Sequence, residues 1–126
     1  MSSTDDVRIS RVLVADDEED MLLWLSIELS SRGWQVTTAG DGPAAVAAAA
    51  TSSFELIVLD HQMPGQTGLE VARVLRAAGT VAPIALFSAR TPAPIEELQE
   101  LGVVPISKVD HQALLRLADS LVAAPH

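Results

Sequence analysis

The chain has 126 residues, 17 acidic against 8 basic side chains, a formal charge of −9 and no cysteine. That length supports one domain with a real core and leaves no room for a second. Scattered cations on an acidic chain argue against a nucleic-acid face, which needs clustered ones, and the lack of cysteine excludes disulfides and thiolate chemistry and suits a reducing cytoplasm. Met1 to Asp6 is polar and acidic, unlike a signal peptide, and no apolar run reaches the roughly 20 residues of a membrane-spanning helix. Residues 1–10 read as a flexible leader, 11–123 as the folded domain and 124–126 as a tail.

Arg11 to Ala15 is a short apolar run ending in Asp16-Asp17, which predicts a first strand with acid at its carboxyl end. Glu18, Glu19 and Asp20 follow, and acids in a first turn favour a helix N-terminus through the dipole. A helix from about Glu19 to Arg32, closed by Gly33, fits. Met21, Leu25 and Leu29, with Trp24 beside them, form a core-facing row, but Leu23 and Ile27 point elsewhere. Two readings stay open: a helix buried on more than one side, or a docking surface for a partner helix.

Trp34 to Ala39 alternates as a half-exposed edge strand does, and Gly40-Asp41-Gly42 is a turn. Pro43 to Ser52 reads as a thin alanine-rich helix, with proline in the first turn where its missing N–H costs least. Leu56-Ile57-Val58-Leu59 has no polar alternation, the pattern of a strand buried on both faces of a parallel sheet; it stops at Asp60, and Pro64 and Gly65 close it off. Thr67 to Ala78 carries Leu69, Val71, Ala72 and Leu75 on one face and stops at Gly79. Pro83 to Phe87 is a fourth strand ending at Ser88, and Thr91 to Leu101 a short helix ended by Gly102. Val103 to Ser107 is a fifth strand, confined by Pro105 to a sheet edge and followed by Lys108. Asp110 caps a last helix over His111 to Ala123, with Leu114, Leu115, Ala118, Leu121 and Val122 facing inward.

Five strands alternating with five helices predict an α/β fold, a doubly wound parallel sheet with right-handed crossovers. The ligand crevice of such a sheet lies outside the carboxyl ends of its strands. Asp60 alone would pass for a cap or turn residue. Its company decides otherwise, because Asp16, Asp17, Asp60, Ser88 and Lys108 all fall at strand ends and meet at one crevice. Three carboxylates there repel by about 4 kcal/mol per pair at roughly 4 Å and an effective dielectric of about 20, so something positive must hold them. Lys108 offsets part of this, and an all-oxygen set with open water positions suits Mg²⁺.

Asp16-Asp17, Gly40-Asp41-Gly42, Leu59-Asp60-x-x-Met63-Pro64-Gly65-x-x-Gly68, Phe87-Ser88-Ala89 and Lys108, in this order and spacing, resemble the receiver domain of two-component response regulators, of the chemotaxis-protein type. The resemblance runs from about residue 11 to 122 and implies a flavodoxin-like (βα)5 fold, its five-stranded sheet in the order 2-1-3-4-5. It implies that Asp60 takes a phosphoryl group from a phosphohistidine of a histidine kinase or histidine phosphotransfer protein, giving an acyl phosphate. Asp17, the Asp60 side chain and the backbone carbonyl of Gln62 would bind Mg²⁺, with Asp16 reaching it through water. Lys108 would neutralise phosphoryl oxygens and Ser88 would donate a hydrogen bond, and both would sense an added charge of about −1.5 to −2. Gln62 and Arg90 stand where the family tunes hydrolysis of the acyl phosphate. Arg90 and His61 flank the site, and His61 is given no catalytic part. Leu23 and Ile27 would meet the helical hairpin of the kinase.

Three departures from the family pattern stand near the lysine. Pro105 replaces the usual Tyr or Phe, Val109 follows Lys108 where Pro is common, and Gly102 to Lys108 is one residue short. A cis bond before valine would cost about 2.5–4 kcal/mol, and without the aromatic ring a standard Ser/Tyr rotamer switch is not expected.

The first functional expectation is a receiver that accepts phosphoryl and relays it or signals by protein contact. The alternative is a receiver-like interaction module with phosphate-independent output, favoured by the altered lysine loop and opposed by the intact acids. A phosphatase of the haloacid dehalogenase type would need a second Asp two residues past the nucleophile, where Gln62 stands, so an enzyme for small substrates is not expected. The protein should be a cytoplasmic signalling protein with no direct nucleic-acid or membrane contact. Its downstream target and a homodimer through the last two helices stay open.

Overall fold

The computed structural model describes residues 9–122, so most of the expected leader, the end of the expected domain and the whole tail lie outside the described residues. The elements in chain order are β1 (Ser10–Ala15), α1 (Glu19–Ser30), β2 (Trp34–Ala39), α2 (Gly42–Thr51), β3 (Leu56–Leu59), α3 (Gly68–Ala77), β4 (Ile84–Ser88), α4 (Ile95–Leu101), β5 (Val103–Ser107) and α5 (His111–Leu121). The strands form one parallel sheet in the order β2-β1-β3-β4-β5, the flavodoxin-like arrangement expected. Ser10, expected in the leader, instead opens β1, where it is buried beside Trp34.

Alternating sheet residues feed two apolar layers. Leu13, Ala15, Ile57, Leu59, Ile84, Leu86 and Val103 pack with Ala45 of α2, Val71 and Leu75 of α3 and Leu98 of α4. Val12, Val14, Leu56, Val58, Ala85, Phe87 and Ile106 pack with Leu25 and Leu29 of α1 and Leu114, Leu115 and Ala118 of α5. The run Leu56 to Leu59 is buried throughout because β3 lies mid-sheet with helices on both faces. Pro105 is tolerated because β5 is an edge strand.

Helix ends follow local chemistry. Asp41 accepts from the Ala44 N–H at 2.7 Å to cap α2, Asp110 from Ala113 at 3.1 Å to cap α5, and Thr67 and Glu70 form a reciprocal capping box on α3. The fourth helix begins at Ile95, not Thr91, because Pro92 and Pro94 hold the residues before them out of the helical region. On α1 the apolar surplus resolves as two faces: Leu25 and Leu29 are buried, while Leu23 and Ile27 are 62% and 57% exposed.

Arg76 organises the end of the molecule opposite the strand carboxyl termini. Its guanidinium donates to the carbonyls of Leu101 (2.6 Å), Thr80 (2.8 Å), Ala82 (2.8 Å) and Gly102 (3.1 Å), tying α3 to the α4–β5 turn. A second tie, the Arg73–Glu97 ion pair, joins α3 to α4.

Candidate functional site

Sheet register places the acids. Ala15 pairs with Leu59, so Asp16 and Asp60 leave adjacent strands at the same level. Backbone bonds carry the ladder one residue further: the Asp60 N–H donates to the Ala15 carbonyl at 2.9 Å and the Asp16 N–H to the Ala39 carbonyl at 3.0 Å. On the other side the Lys108 N–H donates to the Ser88 carbonyl at 3.0 Å, fixing the loop that carries the lysine. The loop after β3 is held by Gly68, whose N–H donates to the His61 carbonyl at 2.8 Å.

Asp16 and Asp60 are buried, at 1% and 6% exposure, whereas Asp17 is exposed. One carboxylate oxygen from each of the three lies within 4.8 Å of the others. Lys108 Nζ reaches Asp16 Oδ2 at 3.0 Å, Asp60 Oδ2 at 3.2 Å and Glu18 Oε1 at 3.0 Å. Burial raises the Asp60 carboxyl above its ordinary value, Asp16 adds to this, and Lys108 opposes it. Burial alone would lower the Lys108 ammonium, but hydrogen bonds to Glu18 and Asp16 and the charges of Asp60 and Asp16 outweigh it and hold the group above its ordinary range. One ammonium facing three clustered carboxylates leaves negative charge uncompensated, and the donors are all oxygen. Such a set fits a hard divalent cation.

An open cleft of about 610 Å³ stands over these groups. Asp17, Asp60, Gln62, Ser88, Arg90, Lys108 and His61, all expected from the sequence, line it. Asp16 lies beneath, held through Lys108 and by the Glu18 N–H, which donates to Asp16 Oδ1 at 2.9 Å. The Ser88 hydroxyl accepts from the Arg90 N–H at 3.4 Å, and His61 Nδ1 is buried without a hydrogen-bond partner. Leu23 and Ile27 are not among the cleft residues. Pro105 lines a neighbouring cavity of about 140 Å³ that shares Ser88, Arg90 and Thr91 with the cleft. The peptide before Val109 is trans and Val109 is 89% exposed.

Glu18, Thr91 and Pro92 also line the cleft and were not anticipated as site residues. For Glu18 a signal was available, since it directly follows the acid pair, but its expected role was only to favour the start of α1. In the structure its side chain makes no cap bond and turns to Lys108 instead.

The family model described as the response regulator receiver domain matches residues 12–115. Among curated relatives, the probable transcriptional regulatory protein TcrX of Mycobacterium tuberculosis is 40% identical over 79 residues, covering 63% of this chain and 34% of its own. The DNA-binding response regulator MtrA of Mycolicibacterium smegmatis is 37% identical over 86 residues, covering 68% of this chain and 37% of its own. The chain thus spans about a third of the length of these relatives, and MtrA's name gives that longer protein the nucleic-acid contact not expected of this stretch. Among solved structures, Vibrio cholerae chemotaxis protein CheY4 superposes with a TM-score of 0.80 at 28% identity, covering 91% of this chain and 100% of its own. Thermotoga maritima TrrA, in complex with Mg²⁺ and BeF, gives 0.78 at 29% identity, covering 90% and 100%. No helix among the described residues is long and apolar enough to cross a membrane. With the matching family model, the 2-1-3-4-5 sheet and an acid cluster paired to a lysine at its carboxyl edge, the chain belongs to the response regulator receiver domain family of two-component signalling.

Proposed function

We propose that Asp60 is the phosphoacceptor. The observation that carries this reading is its setting: a buried carboxylate facing an open cleft, with one oxygen 3.2 Å from Lys108 Nζ and two further carboxylates beside it. An Asp60 oxygen attacks the phosphorus of a phosphohistidine, a P–O bond forms as the P–N bond breaks, and the imidazole leaves with the electron pair. Phosphoryl transfer asks for positioning and charge neutralisation more than for covalent help. The β3 end and the Gly68 bond position Asp60, Lys108 supplies one fixed positive charge, and the Ser88 hydroxyl offers a hydrogen bond to the arriving oxygens.

Asp17, the Asp60 side chain and the Gln62 carbonyl would hold Mg²⁺; the structurally similar TrrA was solved in complex with Mg²⁺ and BeF. The ion, when bound, supplies further neutralisation of the transferred group. Both oxygens of Asp16 are engaged, by the Glu18 N–H and by Lys108, which supports a role through water. Gln62 and Arg90 stand at the cleft wall, where they would bear on water approach to the acyl phosphate, and His61 flanks the site without a catalytic part. Leu23 and Ile27 form the surface that meets the kinase or phosphotransfer protein.

The chain acts as a cytoplasmic signalling acceptor, not as an enzyme for small substrates. Its acidic balance supports the absence of nucleic-acid contact along this stretch. The intact acids and paired lysine favour phosphate-dependent output over the phosphate-independent alternative. The test is transfer of radiolabel from a phosphorylated histidine phosphotransfer protein, with Mg²⁺ and with excess chelator. Metal-dependent label on wild type and none on Asp60→Asn is expected; equal label on Asp60→Asn would move the acceptor elsewhere.

A further inference from the structure

We infer that Glu18 is a latch on Lys108, a positioning residue that occupies the lysine until a phosphoryl group displaces it. The inference rests on Asp60 being the acceptor. An ammonium has three N–H donors, and those of Lys108 face Asp16 at 3.0 Å, Glu18 at 3.0 Å and Asp60 at 3.2 Å. When Asp60 is phosphorylated its carboxylate loses its charge and the donor that faces it passes to one phosphoryl oxygen, so a second phosphoryl oxygen can be met only at the expense of Asp16 or Glu18. One partner must yield.

The three partners are unequal. Asp16 is buried, and its other oxygen is fixed by the Glu18 N–H at 2.9 Å, so releasing it would strand a carboxylate away from water. Asp60 carries the arriving group itself. The Glu18 side chain is 64% exposed, returns to water at little cost, and has no cap bond on α1 to lose or regain. It is therefore the contact that exchanges.

Its place at the N-cap of α1 gives the exchange a consequence. Release moves one negative charge from the cleft mouth to the start of the helix that carries Leu23 and Ile27. In the unphosphorylated site the Glu18–Lys108 contact thereby bridges the start of α1 and the loop after β5 at one side of the open cleft.

The test compares Glu18→Ala with Glu19→Ala, which removes the same charge one residue away from a side chain that does not line the cleft. Glu18→Asp is the third variant, keeping the charge but shortening the reach to Lys108. Beryllofluoride is titrated at saturating Mg²⁺ and about 0.15 M salt, where distant charges are screened, and tryptophan fluorescence is read. Mg²⁺ alone is titrated in parallel. Glu18→Ala and Glu18→Asp should both lower the half-saturating beryllofluoride by about two- to fivefold, the size of one partly exposed ion pair, and leave the Mg²⁺ midpoint in place. Glu19→Ala should match wild type.

Equal shifts in Glu18→Ala and Glu19→Ala, with Glu18→Asp unchanged, would reduce the effect to bulk charge and overturn the latch. A weakened Mg²⁺ midpoint in Glu18→Ala would place Glu18 among the metal's ligands and overturn it too. Failure of every variant and of wild type to bind beryllofluoride would instead overturn the phosphoacceptor reading, and the latch with it.

Discussion

A methyl group added to Gly68 would lie 2.3 Å from the main-chain carbonyl oxygen of Asp60 and 2.8 Å from Leu86 Cδ1. The first residue of α3 thus rests directly on the backbone of Asp60, the proposed acceptor. The nearer obstacle is backbone and the other is a leucine methyl packed in the core, so Gly68→Ala must displace the β3–α3 loop. The expected cost is about 1–3 kcal/mol in urea unfolding, as for overpacking elsewhere. Labelling of Asp60 by a small phosphodonor should also slow by roughly ten- to a hundredfold, because misplacing a reacting group by a fraction of an ångström to an ångström has that effect.

Asp60 should destabilise the metal-free fold at neutral pH. Burial and the neighbouring Asp16 raise its carboxyl above the ordinary value of 3.8, so the protonated form is the one the fold prefers. Its favourable contribution is complete below the unfolded value and is lost as pH rises through the folded value, leaving a charged, crowded carboxylate above it. In chelator at about pH 7, Asp60→Asn should unfold at higher urea than wild type, and the gap should close toward about pH 4. Added Mg²⁺ should narrow the gap at neutral pH by stabilising wild type alone. A gap that widens on acidification would contradict this.

Arg76 gives a stability prediction remote from the cleft. Four carbonyl partners, Leu101, Thr80, Ala82 and Gly102, converge on one guanidinium, and Arg76→Ala strands all four. A loss of about 2–3 kcal/mol in urea unfolding is expected, the scale of bonds to one charged donor with partial rehydration. Arg76→Lys should recover little, since a single ammonium cannot span the fork.

The exposed row on α1 makes a prediction about the donor. Leu23→Asp with Ile27→Asp changes side chains that are 62% and 57% exposed, so unfolding should be nearly unchanged. Transfer from a phosphorylated histidine phosphotransfer protein should fall at least about tenfold, the equivalent of roughly 1.4 kcal/mol of lost docking, while labelling by acetyl phosphate stays level. Undiminished protein-to-protein transfer would remove this surface from the account.

Most of the frame was legible in the sequence because buried parallel strands write themselves as apolar runs. Leu56 to Leu59 could be only a central strand, and Pro105 placed β5 at an edge, as observed. The acids, Ser88 and Lys108 were legible because each ends a strand, and parallel topology brings strand ends together. The extent of α4 was misjudged because the Thr91 to Pro94 segment carries start signals without forming a helix. Glu18 and Arg76 were missed for another reason. Glu18 bonds a lysine from the far end of the chain, and Arg76 bonds carbonyl groups, which every residue has and no sequence pattern marks.

The most direct test of the central claim is intact-mass measurement after incubation with acetyl phosphate, for wild type and Asp60→Asn, with Mg²⁺ and with chelator. A single phosphoryl group on wild type in Mg²⁺, lost in chelator and absent from Asp60→Asn, is the predicted result. Wild type that takes up no phosphoryl, or Asp60→Asn that takes up as much, would contradict the assignment of Asp60 as acceptor.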